Sequence, residues 1–203
     1  MSEKQNPGGS TPPGEDDAFT SQLESVVGAA LPVVSQIGVA ACLNAARILR
    51  EVFAGFGIKA RTVAVDVLVG NAAYAADVQR LGHLPNARER SAGAWSVGIA
   101  TEHPSTKVGH VVTLVRGWIV DLTVQQFSRP AKNINPPEAF VAHVPPTWVG
   151  GEYNYRMRDG LFFAYKARPL DTRFEKMPGY QLNDLNKRAV AAVIKMIAEG
   201  RKS

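Results

Sequence analysis

GHVVTLVRGWIVDLTVQQF, residues 109–127, reads as a β-hairpin that presents a histidine and an aspartate together. Val111, Val112, Leu114 and Val115 make one β-rich run and residues 118–123 a second. Arg116-Gly117 is the tight turn between them, with glycine supplying a positive φ. A two-residue loop fixes the register: Val115 faces Trp118 and Val112 faces Asp121. His110, two residues from Val112, shares its face because side chains alternate along a strand. His110 and Asp121 are then diagonal neighbours with Cβ atoms about 7 Å apart, within reach of an imidazole–carboxylate hydrogen bond. The pair reads as a base and its orienter. It also fits a half-buried histidine beside an aspartate that closes an Asx turn.

Upstream, Cys42, Ala45, Ala46, Leu49, Val52, Phe53 and Phe56 fall on one face of a helix that begins near residues 38–41 and ends at Gly57, a left-handed cap. Cys42 therefore sits in the first turns, where free backbone N–H groups and the positive end of the helix dipole favour a thiolate. The same position on an apolar face suits a buried structural cysteine.

The chain has 203 residues, 45% hydrophobic and 20% charged, the balance of a folded domain with a substantial core. Of the net +5, residues 1–17 carry −3, from Glu3, Glu15, Asp16 and Asp17 against Lys4, which leaves +8 for the rest. That first stretch is rich in Pro, Gly and Ser and reads as a disordered tail, so residues 18–203 form the single domain. The basic residues of 156–176 and 187–202 are scattered among acids and make no nucleic-acid-binding patch. One cysteine excludes an internal disulfide framework, and His83, His103, His110 and His143 show no metal-ligand spacing. The first residues lack the apolar core of a signal peptide, and the apolar run 26–43 is broken by Gly28, Pro32, Ser35, Gln36 and Gly38. A cytoplasmic protein without a membrane span is expected.

Helical spacing of Phe19, Leu23, Val26, Val27 and Ala30 predicts a helix over 18–31, stopped by Pro32. A strand is expected over 58–69, with Val63, Val65, Val67 and Val69 on one face, and another over 92–100. Residues 71–90 read as a partly helical surface excursion or lid, and 102–108 as the turn into the central hairpin. The Pro-rich stretch after Phe127 is expected to wrap the surface in extended form. A second hairpin turns at Asp159-Gly160. A helix over 184–199 presents Leu185, Ala189, Ala192, Val193, Met196 and Ile197 on one face, with Gly200 as its cap.

Cysteine at a helix start, then histidine on one strand and aspartate on the next, resembles the transglutaminase-like branch of the papain-like cysteine enzymes. The resemblance covers about residues 36–127. Small residues flank Cys42, Gly57-Ile58-Lys59-Ala60-Arg61 looks like that family's entry into a strand, and Gly117-Trp118-Ile119-Val120-Asp121-Leu122-Thr123 is its most specific segment. The family's tryptophan after the nucleophile is Leu43 here, no aromatic follows His110, and the excursion between Gly70 and Val108 is long.

The resemblance implies an α+β fold with a papain-like, transglutaminase-like core: a catalytic helix packed on an antiparallel β-sheet, with a C-terminal helix. It implies a catalytic triad of Cys42, His110 and Asp121, and Gln36 matches the place of the oxyanion-hole glutamine. The expected activity is a cysteine-dependent amide hydrolase (peptidase, amidase or deamidase), without a cofactor, acting on an amide-bearing small molecule, peptide or protein. The alternatives are an acyltransferase resembling arylamine N-acetyltransferases, which would use a coenzyme A donor, and a catalytically silent binding module.

Overall fold

Strand β1 (Ala60–Gly70) organises the sheet. Its Val63, Val65, Val67 and Val69 alternate onto one buried face, as the period of two in the sequence predicts. One edge of β1 pairs with β7 (Phe162–Arg168); the other pairs first with β3 (His110–Val115) and then with β2 (Ser96–Ile99). Strands β4 (Trp118–Asp121) and β5 (Phe140–His143) extend the sheet beyond β3, and β6 (Glu152–Arg156) lies outside β7. All these pairings are antiparallel, in the order β5-β4-β3-β1-β7-β6, with β2 joined to β1. The computed structural model describes residues 15–37, 41–100, 109–145, 148 and 151–200.

The central hairpin has the predicted register, with Val115 opposite Trp118, Leu114 opposite Ile119 and Thr113 opposite Val120. Arg116 and Gly117 both have positive φ, 45° and 79°. This is the type I′ geometry whose twist matches the strands. The second expected hairpin joins β6 and β7, with Gly160 at φ 87°.

The sheet curls until its two edges approach. The Phe140 ring on β5 lies 5.5 Å from Tyr155 on β6, and 5.1 Å from Tyr165 on β7. Inside the curl lies one core, which includes Val65, Val112, Leu114, Phe127, Trp148, Phe163 and Tyr165. Each such side chain, when fully buried, contributes about 1.5–3 kcal/mol. The outer face carries helices α1 (Glu15–Val34), α2 (Ala41–Gly55) and α4 (Asp184–Gly200), which pack with Val115, Val120 and Leu122. Helix α3 (Ala72–Leu81) follows β1 directly, capped by the Asn71 side chain, which accepts from Tyr74 N–H. The chain is thus α+β, with an antiparallel sheet and a C-terminal helix, as expected.

Several local expectations are corrected. Helix α1 opens at Glu15, inside the stretch read as a tail, the rest of which lies outside the described residues. It also runs through Pro32 to Val34. Proline there removes one helix bond, to the Gly28 carbonyl, but the continued spacing of Val26, Ala30 and Val34 buries another turn against the core. Strand β2 covers only Ser96–Ile99, because Asn71 draws the residues before it into a loop: its amide donates to Gly93 O and its carbonyl accepts from Trp95 N–H.

The Pro-rich stretch is not simply extended coil. Phe140–His143 forms β5, whose Phe140 and Ala142 face the inner core despite the prolines on both sides. Helix α4 buries Asn186, Ala189, Val193 and Ile197, while Leu185, Ala192 and Met196 point outward. Asn186 turns the helix by donating to Gln181 O at 2.8 Å, which ties α4 to the preceding turn. The expected turn at 102–108 lies outside the described residues.

Candidate active site

Cys42 is the second residue of α2 and half-buried. The helix is fixed at its far end by Gly57, φ 70°, where Gly57 N–H bonds Ala54 O and Ile58 N–H bonds Phe53 O, a Schellman pattern. Ile58 and Phe53 join the same apolar cluster, which anchors the helix on the sheet. The first turn of α2 is thereby held over the start of β3, with Leu43 and Ala46 packed on Ala64 and Val111.

His110 opens β3 opposite Val65 and is fully buried. Its Nε2 lies 2.7 Å from Asp121 Oδ2. The diagonal contact read from the hairpin register is therefore made. Asp121 ends β4 and is 2% exposed, and its carboxylate is saturated. Oδ2 also accepts from the Tyr165 hydroxyl at 3.0 Å, and Oδ1 accepts from Thr123 N–H at 2.9 Å and the Thr123 hydroxyl at 3.0 Å. The two readings of Asp121 are both realised: one oxygen closes an Asx turn and the other holds the histidine.

These contacts set the charges. Burial alone pushes the His110 pKa down, but the Asp121 charge and hydrogen bond, joined by hydrogen bonding and charge from Cys42, raise it to about 10. Burial pushes Asp121 up, and the His110 charge, the hydrogen bond to His110 and the Thr123 donors reverse this and hold it below the ordinary carboxylate range. Tyr165 is driven well above its usual value by burial and then by the Asp121 charge, so it stays a neutral donor. Both shifts favour an imidazolium–carboxylate pair. Since Nε2 is committed to Asp121, Nδ1 is left to be shared between the Cys42 thiol and the Gln126 amide.

Four residues to which the sequence reading gave no role in the site complete it. Gln126 places its amide 3.0 Å from His110 Nδ1. Its nitrogen suits a neutral ring as acceptor; the imidazolium calls for the amide's other orientation, with its oxygen accepting. Phe127 meets the His110 ring edge-on at 5.4 Å between centroids. Thr123 was signalled by its place two residues after Asp121, the spacing of an Asx turn. Gln126 lies in a short 3₁₀ turn, Val124–Phe127, whose side-chain direction no strand or helix periodicity gives. Tyr165 comes from β7, and no local pattern links it to Asp121.

Gln36 is exposed in the turn after α1, where its backbone N–H bonds Val33 O. It does not line the cleft beside Cys42 and His110. That cleft, of about 840 Å³, lies between the end of α1, the start of α2 and the turn after β4. Leu31, Pro32 and Val34 form an apolar wall; Ala41 and Gln126 connect it to Cys42 and His110; Glu138 is the one charged lining residue among the described residues. Among the other histidines, His83 sits on the surface 3.3 Å from Glu89, and His143 lies on β5 against Trp118. His103 lies outside the described residues.

Among the described residues, no three His, Cys, Asp or Glu side chains group as a metal site requires, and no helix is long and apolar enough to cross a membrane. Comparison with protein-family models, with curated proteins and with solved structures finds no significant match.

Proposed function

We propose that the protein is a cysteine-dependent amide hydrolase of transglutaminase-like type, with Cys42 as nucleophile, His110 as general acid and base, and Asp121 as orienter. The observation that carries this is one buried imidazole that bonds Asp121 through Nε2 and also interacts with Cys42. A merely structural histidine has no need of a thiol at a helix start.

The Cys42 sulfur, as thiolate, attacks the amide carbonyl carbon, forming a C–S bond and an oxyanion. The Cys42 backbone N–H, in the first turn of α2, donates to that oxygen, and one good donor of this kind lowers the barrier by roughly 3–4 kcal/mol. His110 Nδ1 gives its proton to the leaving nitrogen as the C–N bond breaks. Water then gives a proton to His110 and attacks the thioester, releasing a carboxylic acid and restoring Cys42.

Charge in the cleft favours this reading over transfer from a coenzyme A thioester. No lysine or arginine is among the described cleft residues, and Glu138 is negative. A ligand carrying several phosphates needs the reverse. The test is intact-mass analysis after incubation, separately, with a glutamine-rich peptide mixture and with acetyl-coenzyme A. An acyl adduct on Cys42 from the peptides, with loss of amine or ammonia, is the expected result. A 1:1 acetyl adduct from acetyl-coenzyme A would assign an acyltransferase, and no adduct from either would leave a binding module.

A further inference from the structure

At the far end of β3 from His110, the turn of the central hairpin borders a second pocket, of about 370 Å³. Five strand steps at about 3.3 Å each separate His110 from Val115, so this pocket is distinct from the triad cleft. We infer that it binds a small organic oxyanion, a phosphate or carboxylate carried on an apolar or aromatic body.

The floor is apolar: Leu114, Val144 and Trp148, all buried members of the core inside the curled sheet. The rim is basic. Arg61, across from Leu114 on β1, along with Arg116 and His143, lines the opening, and no acidic residue does among the described residues. Among the described residues neither guanidinium has a carboxylate within ion-pair distance. Two of the three basic groups have an aromatic neighbour on the outer side of the turn. Arg116 stacks over the Phe19 ring at 4.9 Å, and the His143 ring meets Trp118 edge-on at 5.5 Å.

Gly117 makes room for that histidine, since a Cβ there would lie 3.1 Å from His143 Nε2. Two guanidinium groups and an imidazole beside an apolar floor suit a ligand with one charged end and one apolar end. An oxyanion accepts the planar fork of arginine in two parallel hydrogen bonds. The volume falls in the ordinary range for small-molecule sites, about 300–1,000 Å³.

The test uses the full chain and 1-naphthyl phosphate, followed by the indole N–H resonance of Trp148, which donates to Tyr165 O and sits in the pocket floor. Saturable shifts are expected, with affinity about tenfold weaker in Arg61→Gln and in Arg116→Gly, a change of about 1.4 kcal/mol. The Gly variant suits the positive φ of that turn. Arg188→Gln, an exposed arginine elsewhere, should bind as wild type. Inorganic phosphate, lacking the body, and 1-naphthol, lacking the charge, should each bind at least tenfold more weakly. Absence of saturable shifts, equal affinity in the Arg61 and Arg116 variants, or equal binding of inorganic phosphate would overturn the assignment.

Discussion

Tyr165 on β7 places its hydroxyl 3.0 Å from Oδ2 of Asp121 on β4, although β3 and β1 lie between those strands in the sheet. Only the curl of the sheet allows this contact, across the inner core. The Asp121 carboxylate is thus held from two sides, by its own turn through Thr123 and by a distant strand through Tyr165.

Tyr165→Phe keeps the ring and removes that donor. The loss should cost about 1–1.5 kcal/mol of stability, the usual net value of a buried hydrogen bond. Asp121 should then be harder to ionise and the Cys42 alkylation rate should fall. Urea unfolding together with labelling kinetics checks both; unchanged values in both would remove Tyr165 from the site.

The pair's charges predict a pH profile. His110 is raised to about 10, so its contribution to stability is full below the unfolded value, about 6.5, and is lost as pH climbs through about 10. Asp121 is lowered, so its contribution is full above about 3.9 and is lost as pH falls through the folded value. Stability attributable to the pair should therefore be greatest between about pH 4 and 6.5. The His110 ring resonances should show an imidazolium at neutral pH; a midpoint near 6.5 would contradict the ion pair.

Gln126 is exposed as a residue while its amide reaches His110. Gln126→Ala should change stability by no more than about 0.5 kcal/mol. With Nδ1 left to the sulfur alone, iodoacetamide should label Cys42 faster than in wild type. A slower rate would mean that Gln126 supports the ring instead of competing for it.

Gly117→Ala tests the hairpin that sets the site. A side chain at φ 79°, facing His143, should cost about 1–3 kcal/mol in urea unfolding. A neutral substitution would mean that the turn is not the type I′ geometry that fixes the register of His110 and Asp121.

Much of this arrangement was legible in the sequence because it is local. Arg116-Gly117 fixes the hairpin register, and the period of two then puts His110 and Asp121 on one face. The cap at Gly57 and the apolar face before it give α2 and the place of Cys42. What was missed is long-range or aperiodic. Tyr165 meets Asp121 only through sheet curl, Gln126 sits in a 3₁₀ turn, and β5 is masked by flanking prolines. Pro32 misled because proline penalises a helix locally, while burial of Val34 is a tertiary gain. Gln36 was placed by spacing alone, and the turn after α1 leaves it exposed.

Asp121→Asn bears on more than orientation. An exposed Asx-turn aspartate would tolerate asparagine, but this carboxylate accepts four hydrogen bonds while buried. An amide replaces one acceptor by a donor facing Tyr165 or His110 and leaves the imidazole without its counter-charge. The variant should lose on the order of 3 kcal/mol of stability while remaining folded in the cold.

The central claim, that Cys42, His110 and Asp121 act as one unit, is tested most directly by the rate at which iodoacetamide modifies Cys42 as pH is varied, in wild type, His110→Gln and folded Asp121→Asn. Because thiol and imidazole titrate as a coupled pair, both variants should lower the rate at about pH 6 by tenfold or more and move the profile to higher pH. Wild-type rates across the whole range in either variant would contradict the triad.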